Sequence, residues 1–326
     1  MISTHDIFTI SNQKQFDKIA LKIFRFQYEN NGVYREFCNF LKTDVQKVKS
    51  IQQIPFLPIQ FFKSHSGGSN TNPIQATFTS SGTTGMSTSN HLVTDVSIYE
   101  ESYRKGFSQF YGNIEDYVVL ALLPSYLERE GSSLIYMVDD LIQLSNQPES
   151  GFYLHNYDEL IEKLIQLDQA GQNVILIGVT HALLDLVERH SFQLENTIIM
   201  ETGGMKGKRK EMIREELHQQ LCEGFGVNTV HSEYGMTELL SQAYSLGAGM
   251  FECRPWRHIL VRDTEDALSY VREGKTGGIN AIDLANINSC SFIATQDLGK
   301  KYCNGSFEIL GRFDHSDIRG CNLMVI

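Results

Sequence analysis

Asn173-Val174-Ile175-Leu176-Ile177-Gly178-Val179-Thr180, followed at once by the helical run His181–His190, decides the fold. An apolar run of strand length without alternation is what a strand buried on both faces requires. The same pairing recurs on either side. Tyr117–Leu123 is a second apolar strand candidate, stopped at Pro124. Thr197–Met200 is a third, leading through Gly203 and Gly204 to a helix with Ile213, Leu217 and Leu221 on one face, and Val227–Val230 is a fourth. Apolar strands alternating with amphipathic helices from Gln75 to about Tyr244 predict an α/β fold with a mostly parallel sheet flanked by helices. In such sheets ligands bind outside the carboxyl ends of the strands.

The flanking regions differ in character. Phe16, Ile19, Ala20, Ile23 and Phe24 recur at helical spacing, with Ser11 as the expected cap, until Pro55 and Pro58 break the pattern and 64–73 reads as loop. After Met250, short β-branched and aromatic runs (Ile259–Val261, Ile279–Ile282, Ser291–Thr295, Phe307–Leu310) separated by Gly, Asn and Asp turns predict a C-terminal antiparallel β-subdomain. The expected organisation is a single region: a helical lead-in over 1–75, an α/β core over 76–245 and a β-rich subdomain over 246–326.

Bulk properties narrow the function classes. The 326 residues carry 39 acidic against 28 basic side chains, a net charge of -11. A field of that sign repels phosphodiester backbones and anionic lipid, so neither nucleic acid nor a membrane is the expected partner. Six cysteines, at 38, 222, 253, 290, 303 and 321, form no C-x-x-C pair or zinc spacing and read as reduced thiols. The start of the chain has no signal-peptide pattern, and no apolar run is long enough to span a bilayer. A cytoplasmic protein is expected.

Two loops carry the chemistry. Thr77-Phe78-Thr79-Ser80-Ser81-Gly82-Thr83-Thr84-Gly85 is dense in hydroxyls, with glycines that let the backbone approach a ligand. Successive N–H groups in such a turn form an anion-binding concavity; the same residues also describe a solvated surface loop. It is not a P-loop, since the G-x-x-x-x-G-K-[ST] spacing fails here and at Gly203–Gly207. Ser232-Glu233-Tyr234-Gly235-Met236-Thr237-Glu238 follows a strand candidate. There a Tyr can stack on a purine, a Thr can bond a phosphate oxygen and Glu238 can offer Mg²⁺ a hard oxygen. A strand end with a glycine turn and a helix-capping Thr is the plainer alternative.

T-S-S-G-T-T-G, then G-G after a short strand, E-Y-G-M-T-E, T-Q-D-L-G and G-R-F-D, in this order, resemble the adenylate-forming superfamily of acyl-CoA synthetases, peptide synthetase adenylation domains and luciferases. The resemblance runs from about Gln75 to the end and implies ATP and Mg²⁺ as cofactors. By it, Ser80, Ser81, Gly82, Thr83, Thr84 and Gly85 would hold the β- and γ-phosphates. Gly203, Gly204 and Met205 would line the adenine, with Tyr234 stacked on it within Glu233-Tyr234-Gly235-Met236. Thr237 would contact the α-phosphate, Glu238 would place Mg²⁺, and Asp297 would accept from the ribose hydroxyls with Arg312 nearby.

Three departures narrow the resemblance further. Met86-Ser87-Thr88 stand where a Pro-Lys usually follows the phosphate loop. The sequence stops at Ile326, soon after Asp314 of G-R-F-D, so the usual small C-terminal domain and its lysine are expected to be lacking. Cys321 follows Ile318-Arg319-Gly320. With Pro124–Ser133, Glu201–Lys208 and Asp283–Asn286, these features resemble the acyl-protein synthetase of the bacterial bioluminescence fatty-acid reductase complex. That family passes an acyl group from acyl-AMP to a cysteine near its C-terminus, and then to a partner reductase. Cys321 is therefore the candidate acceptor; Cys290 and Cys303, beside strand-like runs, are expected to pack inside. Lys206, Lys208, Arg312 or a partner's lysine is left to replace the missing cation, with Lys206 the first choice. Tyr126, Arg129, Gly131 and Ser132 stand where the superfamily lets a loop and helix border the acid, although Tyr126 and Arg129 read equally well as surface residues. Two other functions stay open: a ligase delivering acyl groups to coenzyme A or a carrier protein, and an inactive nucleotide-binding scaffold.

Overall fold

A computed structural model describes residues 2–64, 68–70, 72–80, 88–124, 130–203, 209 and 212–313. The chain divides into two compact units, Thr71–Arg254 and a second joining Met1–Asn70 to Pro255–Ile326.

In the unit Thr71–Arg254, five strands lie side by side and parallel in the order Gly151–Tyr153, Val118–Leu122, Val174–Val179, Thr197–Thr202 and His231–Tyr234. Every residue of Val118–Leu122 and Val174–Val179 is buried, which is why both read as unbroken apolar runs. Ala243–Ser245 then pairs antiparallel with His231–Tyr234, and Phe251–Cys253 antiparallel with Ala243–Ser245. Helices alternate with the strands. Tyr157–Gln169 buries Tyr157, Leu160, Leu164 and Leu167 along one stripe, and Thr180–Arg189 follows its strand with no loop between. That immediate reversal presses the helix onto the strand. A β-carbon on Gly178 would lie 2.6 Å from the Cδ2 of the fully buried Leu183, so only glycine permits the approach.

Three expectations shift here. The strand expected at Val227–Val230 is His231–Tyr234 instead, a polar segment whose Ser232 and Glu233 are buried. Its hydrogen-bonded neighbours and polar partners override the apolar signal four residues earlier. Ile213 is the exposed N-cap residue of the helix Arg214–Phe225, whose buried stripe is Leu217, Leu221 and Phe225. The cap of the first long helix is Asn12, whose side chain accepts from the Gln15 amide, while Ser11 precedes it.

In the second unit the helices Gln13–Asn30 and Gly32–Phe40 accompany an antiparallel sheet of Arg257–Arg262, Gly277–Asp283, Phe292–Lys301 and Phe307–Arg312. Leu57–Pro58 adds a parallel bridge to Phe292–Lys301. Phe24, Tyr34 and Phe56 surround the ring of Phe292 at centroid distances of 6.3, 6.0 and 6.2 Å. Gln27, fully buried, fixes the register of helix and sheet: its Nε2 donates to the carbonyls of Asn286 and Ile287, and its Oε1 accepts from the Ser291 amide.

Gly178→Ala should lower stability by about 1–3 kcal/mol through overpacking against Leu183. A thermal melt checks this, and an unchanged midpoint would contradict the close approach.

Candidate active site

The hydroxyl-rich motif is carried by a two-stranded hairpin. Ala76–Thr79 pairs antiparallel with Asn90–Val93, with Phe78 opposite His91 and Thr79 opposite Asn90. One step further, the Ser80 amide donates to the Ser89 carbonyl at 3.0 Å and the Ser89 amide donates to the Ser80 hydroxyl at 2.8 Å. Ser80 thus ends the paired strands with its side chain engaged in the closure. Ser81, Gly82, Thr83, Thr84 and Gly85 lie outside the described residues, as do Gly204, Met205, Lys206, Lys208, Tyr126, Arg129 and Cys321.

A loop borders the hairpin's other side. The Thr79 amide donates to the Gly131 carbonyl at 2.8 Å, and the Thr79 hydroxyl to the Glu130 carbonyl at 3.2 Å. Gly131 has φ +76°, and a β-carbon there would lie 2.9 Å from Thr79 Oγ1, so glycine is required twice over. Ser132, expected beside the acid, is the N-cap of the helix Ser133–Ser145, its side chain accepting from the Ile135 amide.

The ends of two adjacent parallel strands form the second part. Thr202 stands opposite Glu233, and its hydroxyl donates to the buried Glu233 carboxylate at 2.6 Å. The next residue, Gly203, has φ +69°, and its carbonyl accepts from the Thr180 hydroxyl at 3.1 Å. Tyr234 is half-buried, its ring edge-on to Phe251 at 5.8 Å. Gly235 is tightly flanked, since a β-carbon on it would meet Glu233 Oε1 at 2.5 Å. Beyond it, Met236 and Thr237 are half-buried and Glu238 is buried, in a turn closed by the Leu239 amide donating to the Met236 carbonyl. Burial first, and then the charge of Glu233, push the phenols of Tyr99 and Tyr244 upward, so both stay protonated.

Two elements here escaped the sequence reading. His91, fully buried on the hairpin, has Nδ1 2.8 Å from the Thr237 carbonyl. Glu201, also buried, forms an ion pair with Arg214, which donates in turn to Ser232 Oγ at 3.2 Å. Burial raises the Glu201 carboxyl, but His218, Arg214 and Ser232 together outweigh it and hold the group below its ordinary range. His218 Nε2 lies 3.6 Å from Glu201 Oε1 and 3.4 Å from Ser232 Oγ. Both contacts use one ring nitrogen, so this is not the base-and-orienter relay of a hydrolase triad, which needs both nitrogens.

In the second unit, Asp297 and Arg312 face each other across adjacent strands, with Arg312 Nε donating to Asp297 Oδ1 at 3.1 Å. The Asp297 carboxylate is buried while the Arg312 side chain is largely exposed. Burial pushes the thiols of Cys38 and Cys290 to about 12. Cys303 is exposed rather than packed inside, on the turn that the Gly305 amide closes on the Tyr302 carbonyl. Among the described residues no group of three or more His, Cys, Asp or Glu could hold a metal ion, and no helix is long and apolar enough to cross a membrane. Mg²⁺ bound with a nucleotide takes one or two carboxylates plus phosphate oxygens, so a single buried carboxylate such as Glu238 fits that ion's donor needs.

The parallel sheet with its strand-end loops and the antiparallel subdomain together define an adenylate-forming ligase fold. The open form of 2-hydroxyisobutyryl-CoA ligase, in complex with its acyl-AMP and CoA, matches with a TM-score of 0.68 at 11% identity over 93% of this chain and 70% of that one. ATP-bound MatB of Rhodopseudomonas palustris matches with a TM-score of 0.56 at 17% identity over 73% of this chain; the aligned part spans about half (48%) of MatB. Within that class the chain belongs to the LuxE acyl-protein synthetase family, whose model matches residues 2–107 and 144–326. It is 23% identical over 343 residues to the long-chain-fatty-acid–luciferin-component ligase of Aliivibrio fischeri, covering 97% of this chain and 89% of that protein. The Vibrio harveyi ligase of the same description is 22% identical over 317 residues, covering 91% and 82%.

Burial lowers the His91 imidazole from 6.5 to about 4. The unfolded chain therefore binds a proton between those values that the folded chain refuses, so this contribution to stability is complete above pH 6.5 and is lost as pH falls towards 4. The loss amounts to about 3 kcal/mol at the acid end, at 1.36 kcal/mol per unit. Urea titrations at several pH values should show the acid-side slope, and His91→Asn should reduce it; an unchanged slope would mean that His91 takes up its proton equally in the folded and unfolded chain.

Proposed function

We propose that this chain uses ATP and Mg²⁺ to activate a long-chain fatty acid as acyl-AMP and then passes the acyl group to the Cys321 thiol for a partner reductase. The observation that carries the reading is the joint at Thr202–Glu233. It brings Gly203 to one strand end and Tyr234–Glu238 to the next, at the sheet edge where ligands of parallel sheets bind, and His91 links the second segment to the hairpin of the hydroxyl-rich motif. Membership of the acyl-protein synthetase family supplies the reaction class.

In the first step a carboxylate oxygen of the acid attacks the α-phosphorus, and the bond to pyrophosphate breaks. The Thr237 hydroxyl is assigned to an α-phosphate oxygen, Tyr234 to the adenine with Gly203, Gly204 and Met205, and Ser80–Gly85 to the leaving phosphates. Asp297, with Arg312, is assigned to the ribose hydroxyls. Glu238 would hold Mg²⁺, which supplies charge neutralisation for two anions that must meet. Lys206 is assigned the remaining cationic role. In the second step the Cys321 thiolate attacks the acyl carbonyl, the carbon–oxygen bond to AMP breaks, and the thiol proton is released to solvent. A thiolate suits this transfer because it attacks a mixed anhydride readily and gives a thioester that remains reactive.

Acid-dependent ATP–pyrophosphate exchange, measured with MgATP and saturated acids of graded length, tests the first step; intact mass after the same incubation tests the second. Exchange with long-chain acids and a single acyl adduct are expected. Cys321→Ser should keep exchange and lose the adduct, and Lys206→Ala should cut exchange by about a hundredfold. No exchange with any acid would defeat the reading, and adenylate without an adduct would point to an external thiol such as coenzyme A or a carrier protein.

A further inference from the structure

The segment Gly235–Glu238 belongs to no helix or strand, yet it holds both residues assigned to the α-phosphate and the metal. Its position depends on what grips its backbone. His91 does so from 146 residues away in sequence: its Nδ1 meets the Thr237 carbonyl at 2.8 Å. A carbonyl only accepts, so Nδ1 carries the proton and the imidazole is the neutral Nδ1–H tautomer. Burial pushes the imidazole down to about 4, in keeping with a neutral donor. The backbone of His91 is fixed opposite Phe78 in the hairpin, and Phe78 is packed edge-on against Tyr99 and Tyr136 at 5.3 and 5.6 Å. The donor therefore stands on a rigid platform, and the acceptor lies in irregular backbone. Because the peptide joining Thr237 to Glu238 is planar, fixing its carbonyl also fixes the direction of the Glu238 amide.

We propose that His91 is a positioning residue: its Nδ1–H bond sets the Thr237–Glu238 peptide in register with the hairpin that carries the hydroxyl-rich motif, so that one imidazole aligns two parts of the nucleotide site. This rests on the ATP reading above. Misplacement by about 1 Å can cost about a hundredfold in rate, so losing the bond should show in catalysis as well as in stability.

Two substitutions separate donation from packing. His91→Asn keeps a donor near the Nδ1 position but leaves a void, whereas His91→Leu fills the space without a donor. With ATP–pyrophosphate exchange as readout, His91→Leu should lose about tenfold or more in kcat/KM for ATP, with His91→Asn within about threefold of wild type, although Asn costs more in melting temperature. Equal activity in the two variants, or activity that simply follows melting temperature, would overturn the proposal. Two measurements judge His91 even if the wild type shows no exchange, a result that would count against the ATP reading alone. Histidine ¹⁵N NMR near neutral pH should find the Nδ1–H tautomer, and an Nε2–H tautomer would overturn the proposal. Amide hydrogen exchange across 235–239 should quicken in His91→Leu and not in His91→Asn, and equal protection in both would overturn it.

Discussion

The carboxylate of Glu233 is buried, and it accepts the Thr202 hydroxyl from the neighbouring parallel strand at 2.6 Å. Much of the surrounding chemistry follows from that joint. Parallel strands all leave the sheet at one edge, and here the last residues of two of them are locked in register just before each chain turns away. A buried anion is tolerated only with partners, and its charge adds to burial in keeping the phenols of Tyr99 and Tyr244 protonated. Another buried carboxylate, Glu201, solves the same problem with Arg214, and through Arg214 engages Ser232 on the adjacent strand. Two buried acids, two hydroxyls and a guanidinium thus knit the ends of strands whose middles are held by ladder hydrogen bonds and apolar packing.

The hairpin is the complementary element. It is held at Ser80 and Ser89, at Thr79 by the Glu130–Gly131 backbone, and at Thr237 by His91. In each of these side-chain contacts the other partner is a backbone carbonyl or amide. The Asp297–Arg312 pair in the second unit is built differently, with a buried carboxylate behind an exposed guanidinium on facing strands.

How much of this was readable from the sequence depended on where the signal lay. Val174–Val179 and Val118–Leu122 announce themselves because burial on both faces leaves no polar position to confuse the pattern. His231–Tyr234 escapes the apolar pattern because its buried Ser232 and Glu233 are polar and meet partners 18 and 31 positions upstream, which composition does not encode. Ile213 fitted a helical stripe by spacing yet caps the helix from outside. In the site, the expected residues stand out as motif strings, whereas His91 is one polar residue in an ordinary strand alternation. Its partner lies 146 positions away, and only the fold brings them together.

The buried cysteines carry a consequence for chemical selectivity. Thiols at about 12 hold roughly a thousandfold less thiolate near neutral pH than ordinary thiols at 9. If the chain forms acyl-AMP as proposed, it makes an acylating agent that any reactive thiol could intercept. In Cys38 and Cys290 two of its strongest latent nucleophiles are kept chemically silent, by the same packing that fills the core.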